Sequence, residues 1–257
     1  MSAGDLTVTF AGSGDAFGSG GRFQACIHLS HPGLDAAVLV DCGATSMTAL
    51  RRADLDPGGI GAVLVSHLHG DHFGGLPFLI LDAQFSGRDR PLAVIGPPGT
   101  RQRLAAAMEC MFPGSSQVER RFEVSVTELV PGGSVLVPGG AASLPGVSVQ
   151  AWAGRHPSGA PALILRLALG QTVVAYTGDT AWTPAIAEAA AGVDLLIAEA
   201  YYWDKAVPHH LRHADLAAHA AELNARRTVL THMSADMLAR QLPPGYEPAH
   251  DGLVVRL

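Results

Sequence analysis

Four residues able to ligate a metal ion fall within six positions: His67, His69, Asp71 and His72, in the run Ser66-His67-Leu68-His69-Gly70-Asp71-His72-Phe73. They follow the apolar stretch Ala62-Val63-Leu64-Val65, so they stand where a buried strand would end. Side chains two apart in an extended chain share a face, which lets the imidazoles at 67 and 69 converge. The glycine at 70 permits a turn that swings Asp71 and His72 toward a second point. Two points of convergence suit two ions. Neutral imidazole and carboxylate oxygen are preferred by zinc and accepted by manganese or iron, and a hydrolytic site leaves a coordination position for water. A histidine-rich surface loop would explain the residue types but not their order.

Strands must carry these residues. Segments 6–11, 36–41 and 62–66 are short aliphatic or β-branched runs bounded by Gly, Asp or Pro, and each is expected as a buried strand. After the turn Pro97-Pro98-Gly99, residues 101–111 are expected as a helix, with Thr100 placed to cap its first free N–H groups. Segments 122–130, 146–153, 162–169 and 172–176 return to strand character between Gly/Pro turns. Then come an alanine-rich helix at 183–191, a short strand at 194–197, a second helix at 214–225 and a strand at 228–231. In that second helix Leu216, Ala220 and Leu223 would form an apolar stripe. Two strand-rich halves, each followed by helices, read as an α/β fold with sandwiched sheets covered by helices, in one domain over residues 1–257.

The 257 residues are 48% hydrophobic and 16% charged, ample material for a large core. A net charge of −6 gives no general positive field for nucleic acid or an anionic membrane, so a polyanionic substrate would have to be captured locally. The stretch from Met1 to Phe10 lacks a basic targeting region, and no window reaches the ~18 apolar residues of a membrane span. The expected location is cytoplasmic, with no membrane partner. Cys26, Cys42 and Cys110 lack paired spacing and read as small core residues, not as disulfides or a thiolate site. The glycine-rich run at 12–21 has neither the Gly-Lys-Ser/Thr of a phosphate loop nor dinucleotide spacing, and reads as a turn beside the cleft.

His67-Leu68-His69-Gly70-Asp71-His72, placed after a strand, resembles the signature of the metallo-β-lactamase superfamily. Over nearly its whole length the chain resembles the branch containing ribonuclease Z and related phosphodiesterases. The likeness is carried by residues 10–17 with Arg22, by Val40-Asp41-Cys42-Gly43, Gly74-Gly75-Leu76 and residues 95–99, and by Thr177-Gly178-Asp179-Thr180 and residues 230–234. The resemblance implies a four-layer αββα sandwich and a dinuclear centre. In it His67, His69 and His156 would hold one metal and Asp71, His72 and His232 the other, with Asp179 bridging. It also aligns the segment His209-His210-Leu211-Arg212-His213 with a family histidine that serves as acid or phosphate contact. His210 fits the spacing best, with His209 and His213 as alternatives, because Leu211 and Arg212 replace the family's small hydroxyl residues. Arg212 reads as a solvated helix start or a phosphate contact, and Glu199 as the carboxylate that supports the histidine. His28, His31, His219 and His250 are assigned surface or structural roles.

The function implied is a metal-dependent hydrolase, first of all a phosphodiesterase in which two divalent ions, zinc before manganese or iron, activate water. Asp71 would help deprotonate that water and His210 would serve the leaving oxygen. The alternatives are a thioester or lactone hydrolase of the same fold and, less favoured, an iron-dependent oxidoreductase; the di-iron variants place glutamate where this chain has His69. Relatives that mature tRNA carry a basic protruding arm, whereas Glu119-Arg120-Arg121 is short. A small phosphodiester is therefore preferred over nucleic acid as the partner, and a homodimer is implied by the relatives.

Overall fold

The computed structural model describes residues 6–138 and 146–257; the first five positions of the N-terminal stretch read for targeting signals lie outside the described residues. One sheet contains β1 (Thr7–Gly12), β2 (Cys26–Ser30), β3 (Ala37–Val40), β4 (Ile60–Leu64), β5 (Leu92–Gly96) and β6 (Val124–Glu128) in spatial sequence. The other contains β7 (Ser134–Pro138), β8 (Gly146–Ala153), β9 (Leu163–Leu169), β10 (Thr172–Tyr176), β11 (Val193–Glu199), β12 (Ala225–Thr231) and β13 (Glu247–Pro248). The last strand, β14 (Leu253–Arg256), returns to pair antiparallel with β1.

Side-chain alternation builds the layers. Val38, Val40 and Leu64 from the first sheet meet Leu165, Tyr176 and Ile197 from the second, and this inter-sheet core is sealed from water. The neighbours Leu39 and Val63 point the opposite way. They pack beneath α1 (Ser46–Arg52), α3 (Leu76–Phe85) and α4 (Thr100–Met111), while α2 (Gly70–Phe73) is a single turn after β4. On the far side, Ala175, Leu196 and Leu230 pack beneath α5 (Pro184–Ala190), α6 (His213–Ala218) and α7 (Ala235–Leu238). The result is the four-layer αββα sandwich. Strands buried on both faces explain the uninterrupted apolar runs such as Ala37-Val38-Leu39-Val40.

Strand direction decides where chemistry gathers. β3 to β6 run parallel, as do β10 to β13, so their C-terminal ends lie on one edge of each sheet. Ligands in open α/β sheets bind at such edges, where loops are free of ladder pairing.

Three expectations need correction. The helix expected at 214–225 ends at Ala218, because β12 starts at Ala225 opposite Val193; sheet pairing overrides the alanine-rich helix propensity, and Ala220 is exposed. Thr100 is the first residue of α4 and not its cap: its hydroxyl donates to the Pro97 carbonyl. Glu128 Oε1 accepts from the backbone N–H groups of Gly99 and Arg101, each at 3.1 Å, and does the capping. Cys26 and Cys42 are buried, but Cys110 lies exposed on α4. α3 has apolar residues around most of its circumference, so it offered no helical period to read.

Candidate metal centre

Chain geometry assembles seven residues at that common edge. After β4, His69 lies on extended backbone and the α2 turn begins at Gly70, and His67 Nε2 stands within 3.2 Å of His69 Nδ1. His156, beyond β8, adds its Nε2 at 3.0 Å from the same His69 nitrogen. Asp71 and His72, inside α2, face the other way: His72 Nε2 stands 3.3 Å from Asp71 Oδ2 and 3.2 Å from Asp179 Oδ1. His232, beyond β12 at φ 55, places Nε2 3.1 Å from Asp71 Oδ2 and 3.4 Å from Asp179 Oδ2. Asp179 lies between the groups, its Oδ2 also 3.9 Å from His67 Nε2.

Two glycines make this approach feasible. Gly178 holds φ +54 at the turn into Asp179, and a Cβ there would lie 2.9 Å from Ser66 Cβ. A Cβ on Gly43 would come within 2.2 Å of the Asp71 carbonyl oxygen.

The histidine tautomers follow from their partners. Asp41 Oδ2 accepts from His72 Nδ1 at 2.6 Å, and the His209 carbonyl accepts from His156 Nδ1 at 2.9 Å. The Ser66 hydroxyl donates to Asp41 at 2.8 Å, so its oxygen accepts from His67 Nδ1 at 3.1 Å. In all three rings Nδ1 is thereby engaged and Nε2 is the nitrogen turned toward the centre, its lone pair available to a metal when the ring is neutral. His67 Nε2 and His156 Nε2 then converge on His69 Nδ1, which has at most one proton for the two of them, and among the described residues His72 Nε2 and Asp179 Oδ1 are buried without a hydrogen-bond partner. Such orphaned groups are costly to bury unless a cation satisfies them.

Electrostatics point the same way. Asp41, Asp71, Asp179 and Glu199 are all buried here, and among the described residues no lysine or arginine lines the cavity. Burial opposes charge on His232, but Asp179 and the hydrogen bond to Asp71 outweigh it and lift its pKa to about 9. Burial likewise opposes ionisation of Asp71, yet His72 and His232 hold it well below the usual carboxylate range. His67 is driven far toward its neutral form, by burial first and then by His72. Without a metal the carboxylates draw protons onto His72 and His232, a compensation that a bound cation would replace. His67, His69 and His156 form one group able to hold a metal ion, and Asp71, His72, Asp179 and His232 form a second.

Of the three histidines left open as the acid, His210 alone reaches this centre. Its Nδ1 pairs closely with Glu199 Oε1 and lies 4.0 Å from Asp179 Oδ2. Glu199 is wholly buried and fixed by the N–H groups of Thr180 at 2.9 Å and Leu211 at 3.2 Å. His209 turns its side chain to solvent, and His213 is buried against Trp203 with rings 4.1 Å apart. Arg212 points away from the cavity: its Nε and Nη2 donate to Asp215 at 3.0 and 2.5 Å as a helix-start pair.

Sequence reasoning gave no role to Asp41 or Tyr176. Asp41, at φ 59 directly after β3, accepts from Ser66 N at 2.7 Å, and its Oδ2 also accepts from the buried Tyr176 hydroxyl at 2.9 Å. The available signal was a carboxylate ending the apolar run of β3, a place where a lone charge needs a reason. Phe17 and Tyr201 were also passed over; both line the cavity of about 190 Å³ above the centre.

The family model described as a beta-lactamase superfamily domain matches residues 36–233. The chain is 27% identical to a ribonuclease Z from Methanosarcina acetivorans, over 90% of this chain and 88% of that one. Among solved structures it superposes on the short form of human tRNase Z with a TM-score of 0.78 at 27% identity, covering 97% and 98% of the two chains. A diphosphatase of the PhnP family superposes with a TM-score of 0.73 at 21% identity, covering 97% of each chain, a likeness of fold. No helix among the described residues is long and apolar enough to cross a membrane.

Proposed function

Given that the chain belongs to the β-lactamase superfamily and is similar to a ribonuclease Z, we propose that it is a metal-dependent hydrolase that cleaves phosphodiesters at a dinuclear centre. His67, His69 and His156 would hold one divalent ion and Asp71, His72 and His232 the other, with Asp179 between them. Nitrogen and carboxylate oxygen donors without thiolate favour zinc. Two such ions would supply Lewis acidity toward the phosphoryl oxygens and lower the pKa of water.

The chain's own residues do the rest. Asp71 orients the attacking water and accepts its proton. Glu199, buried and fixed by two backbone N–H groups, accepts the Nδ1–H hydrogen bond of His210 and favours the protonated ring, whose Nε2–H is left to go to the leaving oxygen. The Glu199–His210 pair beside Asp179 is the observation that supports the diesterase reading: an alkoxide leaving from phosphorus needs a proton, and we assign its delivery to this ring. The reading treats residues 1–257 as one domain, since each ligand group draws on both halves of the chain.

A cavity of about 190 Å³ with no cationic lining among the described residues favours a small diester over a long nucleic acid. The test is hydrolysis of a bis-aryl phosphodiester, an aryl ester, a thioester, a lactone and a 3′-extended tRNA by the zinc-loaded chain. Diester turnover that falls by about two to four orders of magnitude in His210→Ala is the expected result. Turnover of acyl substrates alone, or diester cleavage indifferent to His210, would sink the reading.

A further inference from the structure

Phe17 is 84% exposed, yet it stands on an ordered loop at the mouth of the metal cavity. Asp15 builds that loop by accepting from the backbone N–H groups of Phe17 at 3.2 Å and Ser19 at 2.9 Å, and from the Ser19 hydroxyl at 2.7 Å. Gln24 Nε2 adds a bond to the Ala16 carbonyl at 3.1 Å. The loop is thus held in a conformation that keeps a large apolar ring in water, where its hydration is unfavourable. Tyr201 lines the same cavity, its ring 4.8 Å from that of His210 and 5.9 Å from that of His232. Burial raises the Tyr201 pKa, which keeps the phenol neutral.

We propose that Phe17 and Tyr201 form a stacking clamp that selects substrates carrying a planar aromatic substituent next to the phosphoryl group, a nucleobase or aryl ring. The inference rests on the preceding functional reading only in placing a phosphoryl group at the ligand cluster. Phe17 supplies a free face that gains by stacking, because among the described residues it has no partner ring to surrender. Tyr201 supplies the second ring, braced by His210 and by Tyr202 at 4.9 Å. Neither residue touches the reacting atoms, so both are specificity-determining positions. Stacking of one base on one aromatic ring corresponds to roughly ten- to a hundredfold in affinity.

The experiment compares equilibrium binding of adenosine 5′-monophosphate and ribose 5-phosphate, which share the phosphate handle and differ by the base, to the zinc-loaded chain. The base-bearing ligand should bind at least about tenfold more tightly. That ratio should collapse toward one in Phe17→Ala, shrink in Tyr201→Leu, and be retained in Phe17→Trp. Equal binding of the two ligands by the unsubstituted chain, including no binding of either, overturns the clamp, as does a ratio that survives Phe17→Ala. Phosphodiester turnover in the same preparations reports separately on the hydrolytic reading, so failure of one is distinguishable from failure of the other.

Discussion

His156 donates its Nδ1 proton to the backbone carbonyl of His209 at 2.9 Å, and His209 holds the left-handed conformation, φ 68, that delivers this carbonyl. The next residue is His210, so a single loop orients a candidate metal ligand and presents the candidate acid. A β-branched residue is disfavoured in that region of backbone space, whereas glycine adopts it freely. His209→Val should therefore weaken zinc retention by roughly 10- to 100-fold and His209→Gly should retain it. Elemental analysis after dialysis checks both, and equal retention in the two variants would remove the loop's orienting role.

Asp41 collects four donors from three segments of chain. Asp41→Asn keeps the shape but turns an N–H group toward His72 Nδ1 or Ser66, so donor faces donor. We expect destabilisation of about 3–5 kcal/mol, in the range for breaking a buried charged network, together with loss of zinc. Tyr176→Phe removes one donor and should cost about 1–3 kcal/mol. Denaturant melts of the two variants measure the gap, and similar midpoints would refute the ranking.

Removing metal should do more than stop turnover. With four buried carboxylates near one another, the metal-free chain must draw protons onto buried histidines such as His232 to offset their repulsion. At free zinc about a thousandfold above Kd, ligation adds about 4 kcal/mol, which for a chain of this size is a Tm higher by roughly 10 °C. Chelation should erase that increment and zinc should restore it in a thermal melt. A Tm indifferent to chelator would argue against the whole ligand set.

His28 gives a pH effect away from the centre. It lies on β2, 7% exposed, with Nδ1 buried and without a partner among the described residues, and burial lowers its pKa below 6.5. The unfolded chain therefore protonates this ring at a pH where the folded chain does not. Stability is unaffected well above pH 6.5 and declines as pH falls below it, levelling off once the folded pKa is passed. Other histidines titrate in the same window, so the measurable quantity is a difference: between pH 8 and 5.5, His28→Leu should lose less stability than the unsubstituted chain. Equal losses would show that His28 is not buried neutral.

What was legible in the sequence tracks how local each cause is. The pair of ligand directions at residues 67–72 could be read because strand periodicity and one glycine decide them within six positions. His156, Asp179 and His232 became readable only through family likeness, since nothing local separates them from turn residues. The Asp41 network was silent because its partners lie 25, 31 and 135 residues away, and such distances belong to the folded chain alone. The shortened helix at α6 failed for the same reason: local preference said continue, and a sheet partner said stop.

The division of ligands between the halves has a kinetic meaning. His67 and His69 come from the first sheet and await His156, while Asp71 and His72 await Asp179 and His232 from the second. Neither half alone presents a complete set of donors, so a coordination spectrum cannot mature until the sheets have docked. Contacts this distant along the chain form late, after the entropy of closing large loops has been overcome. With cobalt in place of zinc, the rise of visible absorption during refolding would time the meeting of the two sheets, and the centre becomes the molecule's own clock of assembly.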